Sequence, residues 1–162
     1  MKHFNAKQFT TASKQLESKR IIHAPIEQVW EVVADHQGMT AWMPYIKQVD
    51  LVKPDDQGTY GEGAERHCQF GNDLLQEKIV HWDPPYGYAY AISDMHLVND
   101  HVGYISLTEK LDGIEVRWQQ YFVPQGNAFK KWMAKNFMFP RLMNKALQNL
   151  EKQVLTNQQQ SA

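Results

Sequence analysis

A chain of 162 residues, 43% of them hydrophobic, is long enough to bury the core of one domain without a disulfide or a structural metal. Its single cysteine, Cys68, excludes a disulfide framework, and the 17 basic and 18 acidic residues leave a formal net charge of −1, which argues against a nucleic-acid partner. The sequence contains no stretch of about eighteen apolar residues and no apolar signal segment near Met1. We therefore expect a cytoplasmic protein with no integral membrane association.

The first 52 residues predict two strands and two short helices. Residues 1–13 are mixed and polar, so we expect an N-terminal tail there. Alternating residues from Gln15 to His23 predict a first strand. Pro25 to Ala34 has apolar residues on one helical face and predicts a short helix, and Asp35 to Met43 predicts a second short helix or a turn. Ile46 to Val52 alternates again and predicts the second strand.

The Gly71-Asn72 pair is typical of a two-residue hairpin turn, and such a turn fixes which residues of its two strands face each other. The predicted pairs on one face are Phe70 with Asp73, Cys68 with Leu75, Arg66 with Glu77 and Ala64 with Ile79. On the other face, Glu65 pairs with Lys78. Two pairs of opposite charge come from this one register. A further strand, Tyr88 to Ile92, follows the Asp83-Pro84-Pro85 turn.

A second hairpin is predicted at Asp112-Gly113. With that turn, the pairs on one face are Leu107 with Trp118, Ile105 with Gln120 and Gly103 with Phe122. The pairs on the other face are Lys110 with Glu115, Thr108 with Arg117 and Tyr104 with Tyr121. The first face is mostly apolar and the second mostly polar, as a sheet with one covered side requires.

Asn127 to Leu155 is predicted to be one long helix, because apolar residues recur at three- and four-residue steps. These residues are Phe129, Trp132, Met133, Met143, Ala146, Leu147, Leu150 and Val154. Pro140 lacks a backbone donor, so the helix should kink or break near Met138 to Pro140. The order of elements indicates the α+β class: a seven-stranded curved antiparallel sheet around a long C-terminal helix, with two short helices after the first strand. We expect one domain over residues 14–156, a C-terminal tail over 157–162, and a cavity between sheet and helix.

Several short sequence segments, in the order in which they occur, resemble segments of one superfamily. They are His23-Ala24-Pro25-Ile26-Glu27-Gln28-Val29-Trp30, Trp42-Met43-Pro44, Gly61 to Arg66, Glu77-Lys78-Ile79, Trp82-Asp83-Pro84-Pro85 and Asp112-Gly113 to Pro124. Over residues 23–154 the chain resembles the START/Bet v 1-like (SRPBCC) superfamily, and within it the polyketide cyclase/dehydrase-type proteins. The resemblance implies the helix-grip fold. Because the superfamily includes lipid carriers, hormone receptors, aromatic cyclases and activating subunits, it leaves the function open.

Arg66 and Glu77 are the first candidates for a ligand site, since the Gly71-Asn72 register places them opposite each other on the face predicted to point inward. One interpretation is a polar anchor in an apolar pocket, where the guanidinium would hold a carboxylate or phenolate. The other is a cross-strand ion pair on a wet face, contributing less than about 1 kcal/mol. A neighbouring guanidinium stabilises the ionised carboxylate, which argues against Glu77 as a general acid.

Further candidate ligand contacts are aromatic or amide side chains. Those predicted to line the cavity are Trp82, Tyr88, Tyr90, Trp118, Gln120 and Trp132, and Trp42 and Tyr45 are predicted at its mouth. An aromatic stripe is also typical of an ordinary core. The amide of Gln120 requires partners if it is buried, either from the protein or from a ligand.

The seven histidines show no ligand spacing, and no nucleophile, phosphate-loop or dinucleotide motif occurs, so we expect no metal and no cofactor and assign no catalytic residue. The first hypothesis is binding or transport of a small hydrophobic ligand, either aromatic or acyl and lipid-like. The alternative, implied by the resemblance, is a polyketide cyclase/dehydrase-like enzyme acting on an aromatic or polyketide-type substrate. A third is an interaction subunit that uses Tyr104 and Tyr121 as a contact patch. The oligomeric state is left unspecified.

Overall fold

The fold was described from a computed structural model that covers residues 1–93, 95–96 and 98–161. The strands are β1 Lys14–Ile22, β2 Ile46–Lys53, β3 Glu65–Phe70, β4 Asp73–Asp83, β5 Gly87–Ile92, β6 Val98–Lys110 and β7 Gly113–Pro124. The helices are a 3₁₀ turn Ala6–Gln8, α1 Ile26–Ala34, a 3₁₀ helix Gln37–Ala41, α2 Ala128–Met133, a π-helix Ala134–Met138 and α3 Phe139–Ser161. Ala162, the last residue of the predicted C-terminal tail, lies outside the described residues.

The seven strands form one antiparallel sheet in the order β1-β7-β6-β5-β4-β3-β2. The strands follow one another along the sheet except for β1, which pairs with β7. Because β1 closes against the last strand, the sheet curves, and α3 lies in its concave side with Met143, Leu147 and Leu150 buried. Full burial of such a side chain stabilises the fold by about 1.5–3 kcal/mol. The predicted α+β helix-grip architecture is confirmed.

The two hairpins test the predicted registers, and only the first register is right. β3 and β4 pair around Gly71-Asn72 as predicted, with Arg66 opposite Glu77. The second prediction is wrong. The turn lies one residue earlier, at Leu111-Asp112, so each pairing partner moves by two residues and Lys110 pairs with Gly113. A shift of two residues keeps every side chain on its predicted face, because the side-chain period of a strand is two.

The corrected register of β6 and β7 changes each predicted partner. Leu107 faces Val116, Ile105 faces Trp118, Gly103 faces Gln120, Thr108 faces Glu115 and Tyr104 faces Gln119. Tyr121 faces Val102, so Tyr104 and Tyr121 do not form the predicted pair. The rings of Phe4 and Tyr104 stack with centroids 4.2 Å apart, which covers part of the surface that the contact-patch hypothesis requires.

The long C-terminal helix changes character before Pro140, where the sequence predicts a kink. α2 is followed by the π-helix, and α3 begins at Phe139. A proline inside a helix lacks the N–H that would bond to the carbonyl four residues earlier, and a π-turn is one way in which a helix accommodates such a defect. α3 continues to Ser161, beyond Leu155 where the periodic pattern ends. It is tied to β1 by an ion pair between Arg20 Nη2 and Glu151 Oε2 at 2.6 Å.

Residues 1–13 lie against the sheet. The Lys2 backbone N–H donates to Asp83 Oδ2 at 2.5 Å, and the Thr10 hydroxyl donates to the Asp100 carbonyl oxygen at 2.8 Å. Asp100 Oδ2 also accepts from the Thr11 hydroxyl at 2.7 Å. Within the described ranges, no helix has both the length and the apolar character needed to span a membrane.

Candidate functional site

An apolar cavity lies between the concave face of the sheet and the first turns of α3. Its volume is about 70 Å³, measured as the space open to the centre of a water molecule. A single water molecule needs about 10–15 Å³ in that measure, so the cavity has room for several waters or a small organic group. Ile105, Trp118 and Phe122 from the sheet and Met143 from α3 are among the buried side chains that line it.

One end of the cavity approaches solvent. Six of its lining side chains are only half-buried, and they come from the ends of β3 and β5 and from the segments before β2, after β5 and at the start of α3. These residues are Met43, Phe70, Ile92, Met95, Phe139 and Leu142. We call this set the rim. Two of the rim residues are methionines, whose unbranched side chains change rotamer readily.

Arg66 is at the centre of a network in which its charge is neutralised inside the protein. Its side chain is 2% exposed, so the wet-face interpretation of the Arg66–Glu77 pair is wrong. Arg66 Nε and Nη2 each lie 2.7 Å from Glu77 Oε2, and Nη1 lies 2.6 Å from His36 Nδ1. His36 Nε2 lies 2.7 Å from the Tyr60 carbonyl oxygen. We call these four residues the paired network.

The hydrogen bonds of the paired network fix the protonation of His36. A carbonyl oxygen only accepts, so Nε2 of His36 carries the hydrogen and donates it to Tyr60. Nδ1 therefore accepts from the Arg66 guanidinium. Burial, together with the charge of Arg66, lowers the pKa of His36 to about 4, which keeps the imidazole neutral at neutral pH.

Tyr90 belongs to a second polar group in the same cavity, which we call the open cluster: Tyr90, Trp118, Gln120 and His101. The Tyr90 oxygen accepts from Trp118 Nε1 at 3.1 Å and from Gln120 Nε2 at 3.4 Å. Those two bonds use the acceptor capacity of the hydroxyl. The Tyr90 hydroxyl proton therefore remains available for a further hydrogen bond. Among the described residues, no hydrogen bond is found in which Tyr90 is the donor. Burial raises the pKa of Tyr90, so the hydroxyl remains a donor at neutral pH.

His101 leaves a second unpaired atom in the open cluster. Its Nε2 lies 2.6 Å from Gln120 Oε1, an oxygen that only accepts, so Nε2 carries the hydrogen. Nδ1 is then a free lone pair, and it is buried with no hydrogen-bond partner in the described part of the chain. Burial lowers the pKa of His101 to about 4, so the ring is neutral. Tyr90 and His101 both line the cavity, with ring centroids 5.9 Å apart.

The position of the Tyr90 hydroxyl depends on a glycine in the neighbouring strand. Gly103 is paired with Tyr90, and a Cβ atom at Gly103 would clash with the hydroxyl end of the Tyr90 ring. The Arg66 guanidinium carbon lies 5.6 Å from the centroid of the same ring, within the range of a cation–π contact. The ring thus joins the paired network to the open cluster.

The structure brings six of the ten predicted ligand contacts together at the cavity: Arg66, Glu77, Tyr88, Tyr90, Trp118 and Gln120. The other four do not line it. Trp82 packs against Trp30 with ring centroids 5.0 Å apart, and Trp42 is fully buried beside the cavity. Tyr45 is 69% exposed. Trp132 is 53% exposed because it lies before the π-turn, where the helix does not yet pack against the sheet.

His36 and His101 were not among the predicted site residues. His101 had a usable signal, because it has the same strand parity as Gly103 and Ile105, which were predicted to point inward. His36 had none, since it lies thirty positions before Arg66 in the chain and outside any strand pattern. In the described ranges, no three His, Cys, Asp or Glu side chains are grouped so that they could hold a metal ion. Burial raises the pKa of the Cys68 thiol, which fits a buried apolar role.

A curved antiparallel sheet that grips a terminal helix around an apolar cavity defines the helix-grip class of proteins. The chain belongs to the family described as polyketide cyclase/dehydrase and lipid transport, whose pattern it matches over residues 13–155. The predicted resemblance is thereby confirmed. No curated protein sequence matches the chain significantly.

Solved structures share the fold at low sequence identity. XoxI from Bacillus cereus is 21% identical with a TM-score of 0.70, over 86% of this chain and 94% of that one. Ara h 8.0201 is 17% identical with a TM-score of 0.65, over 87% of this chain and 97% of that one. StfQ, a di-domain ARO/CYC protein from the steffimycin biosynthetic pathway, is 10% identical with a TM-score of 0.71, over 88% of this chain and 50% of that one.

Proposed function

We propose that the protein binds or transports a small hydrophobic ligand, aromatic or acyl, in the cavity between the sheet and α3. The observation that carries this proposal is the open cluster: Tyr90 has a hydroxyl proton and His101 a lone pair for which the described residues supply no partner. Buried polar atoms in native proteins are paired in the great majority of cases. A ligand in the cavity is one partner that satisfies both atoms at once.

The two unpaired atoms define the polar end of the ligand. A hydroxyl or a protonated carboxyl group accepts one hydrogen bond and donates another, so a single such group could accept from Tyr90 and donate to His101. The body of the ligand would pack against apolar side chains such as Ile105 and Phe122. Arg66 is poorly suited to hold an anionic ligand, because Glu77 already neutralises its charge.

The volume of about 70 Å³ admits only a small organic group, so a ligand of one or two rings or a short acyl chain requires the cavity to widen. An engineered apolar cavity of about 150 Å³ binds benzene, so even a small ring needs some widening here. Rotamer changes of Met43 and Met95 at the rim provide that widening without a change in the sheet.

The test compares two probes that differ by one hydroxyl, 2-naphthol and naphthalene. Titration calorimetry should show that the protein prefers 2-naphthol by about tenfold, the value of one net hydrogen bond. Tyr90→Phe should reduce the preference, because one of the two proposed bonds is lost, while naphthalene binding is kept. Tyr104→Phe is the matched control and should retain the preference, because Tyr104 lies on the opposite face of the sheet from the cavity. Native mass spectrometry of the purified protein should reveal a hydrophobic passenger. Absence of binding by both probes, together with an empty cavity, would overturn the proposal.

The second candidate is a polyketide cyclase/dehydrase-like enzyme, favoured by the pairing of a hydroxyl donor with an unprotonated imidazole. Tyr90 would polarise a substrate carbonyl and His101 Nδ1 would take a proton from the adjacent carbon. The pKa of about 4 makes His101 a weak base, and for that reason we place binding first. Deuterium exchange into the central carbon of acetylacetone provides a test. Enolisation faster than in buffer, abolished in His101→Gln, would favour the enzyme, and exchange at the buffer rate would exclude this chemistry.

A further inference from the structure

No side chain of α2 or of the π-helix that follows it is fully buried. Phe129, Trp132, Met133 and Met138 are all exposed, and we call these four residues the aromatic patch. Phe129 and Trp132 are 67% and 53% exposed. A contiguous exposed apolar cluster is more often an interaction site than are apolar residues scattered singly over the surface.

The charge around the aromatic patch is one-sided. Residues 127–150 contain five basic residues and no acidic residue, whereas the whole chain has a net charge of −1, so the rest of the chain carries −6. Lys130, Lys131 and Lys135 are exposed and alternate in sequence with the residues of the aromatic patch. The whole-chain charge therefore conceals a strongly basic segment at one end of the molecule.

We infer that the aromatic patch and its three lysines dock on the surface of an anionic lipid membrane. Exposed Trp and Phe side chains interleaved with lysines are typical of segments that lie in the boundary between headgroups and acyl chains. Each lysine near an anionic leaflet contributes about 1 kcal/mol of attraction. A negatively charged protein partner would match the lysines, but the absence of any acidic residue from 127–150 and the mixed Trp, Phe and Met surface favour lipid.

Docking of this segment would place the cavity rim at the membrane. Phe139 and Leu142 of the rim follow the π-helix directly in the chain, and Phe139 also contacts Phe122 inside the cavity, with ring centroids 5.5 Å apart. A hydrophobic ligand could then move between the bilayer and the cavity with little exposure to water. The docking inference stands without the proposed function, because the patch lies outside the cavity.

The experiment measures co-sedimentation of the full chain with two kinds of vesicle, one of phosphatidylcholine alone and one of phosphatidylcholine with phosphatidylglycerol. We expect at least about tenfold tighter binding to the anionic vesicles at low salt, and a decrease as salt screens the charges. The double variant Phe129→Ser/Trp132→Ser should lose most of this binding. The triple variant Lys130→Gln/Lys131→Gln/Lys135→Gln should lose the preference for anionic lipid.

Matched control variants distinguish the effect of changing the aromatic patch and its lysines from the effect of changing exposed residues elsewhere. Leu111 is fully exposed in the turn between β6 and β7, so Leu111→Ser removes an apolar side chain that is even more exposed than Phe129 or Trp132. Lys47→Gln/Lys78→Gln/Lys110→Gln removes three lysines from other surfaces. Both controls should bind anionic vesicles like the unmodified protein, and thermal unfolding should verify that each variant is folded.

Three results would overturn the inference. They are no sedimentation with anionic vesicles, equal loss in the patch and control variants, and a dimer in sedimentation velocity that Trp132→Ser converts to a monomer. The last result would identify a second copy of the chain as the occupant of the patch. Binding of 2-naphthol without vesicles should be unchanged in Phe129→Ser/Trp132→Ser, so failure of membrane docking and failure of ligand binding are distinguishable.

Discussion

The paired network around Arg66 and the open cluster around Tyr90 lie on the same inner face of the sheet, and both are buried. In the paired network, Arg66 meets Glu77 and His36, and His36 meets the Tyr60 carbonyl. In the open cluster, one hydroxyl proton and one imidazole nitrogen are left over. Burial of a polar side chain therefore does not by itself mark a ligand contact. An unpaired atom is a candidate contact only where it also lines the cavity, as His101 Nδ1 does, since within the described residues Trp42 Nε1 and His81 Nε2 are unpaired but do not line it.

The largest expected effect of a single substitution comes from breaking the paired network. Arg66→Met leaves the Glu77 carboxylate buried without its cation, and loss of one member of a buried pair costs about 3–5 kcal/mol. Urea unfolding at pH 7 would measure the change in free energy. The double variant Arg66→Met/Glu77→Met should recover most of the loss, because no uncompensated charge remains. A loss below about 1 kcal/mol in Arg66→Met would show that water reaches the pair.

The second prediction concerns pH and involves one histidine from each group. The pKa of His36 and that of His101 are both lowered to about 4 in the folded protein, against an ordinary value of 6.5. The unfolded chain therefore binds more protons between pH 6.5 and 4, and the free energy of unfolding should fall as pH decreases through that window. A difference of about 2.5 in pKa corresponds to about 3 kcal/mol for each histidine.

Urea unfolding at several pH values would test this dependence. Carboxyl groups with a lowered pKa, such as Glu17, lose their contribution to the free energy of unfolding only at lower pH. They therefore do not account for a decline in that free energy that begins near pH 6.5. His101→Gln should reduce the slope between pH 6.5 and 4 by about half and leave the contribution of His36. A free energy of unfolding that stays constant over the window would show that both rings are solvated.

The face on which a strand residue lies was predictable from sequence, whereas exact partners depended on the turn. Gly71-Asn72 has the expected turn conformation, with a positive φ at Gly71, and the β3–β4 register follows from it. In the second hairpin Gly113 is the first residue of β7, and the turn is made by Leu111-Asp112. Local turn preference favoured Asp112-Gly113. The pairing of the long strands outweighs that preference and shifts the register by two residues.

The site was only partly predictable, for a different physical reason. Arg66, Glu77 and Gln120 follow from strand parity, because inward positions alternate along a strand. His36 reaches Arg66 from a helix end, and no local pattern encodes that approach. The periodic pattern of the C-terminal helix assigned Trp132 to the core, but the π-turn before Pro140 leaves Trp132 at the surface.

The third prediction displaces the hydroxyl on which the open cluster depends. In Gly103→Ala the new methyl group meets the end of the Tyr90 ring, and overpacking of this kind costs about 1–3 kcal/mol. The preference for 2-naphthol over naphthalene should also be lost. Tyr90→Leu removes the ring end, so the double variant Gly103→Ala/Tyr90→Leu should be more stable than the sum of the single changes implies. Strict additivity would show that the two side chains do not meet.

The smallest expected effect comes from Tyr88→Phe, and its contrast with Tyr90→Phe separates the two groups most directly. In the described part of the chain, the hydrogen bond to the Tyr88 oxygen is a long one, 3.5 Å from Arg66 Nη2, so its removal should cost less than about 1 kcal/mol. Tyr90→Phe leaves Trp118 Nε1 and a Gln120 amide hydrogen without their acceptor, which should cost about 1–3 kcal/mol. Thermal unfolding of the two variants side by side would measure the difference. Equal losses would mean that the two hydroxyls are equally bonded, and the distinction between a paired network and an open cluster would then be wrong.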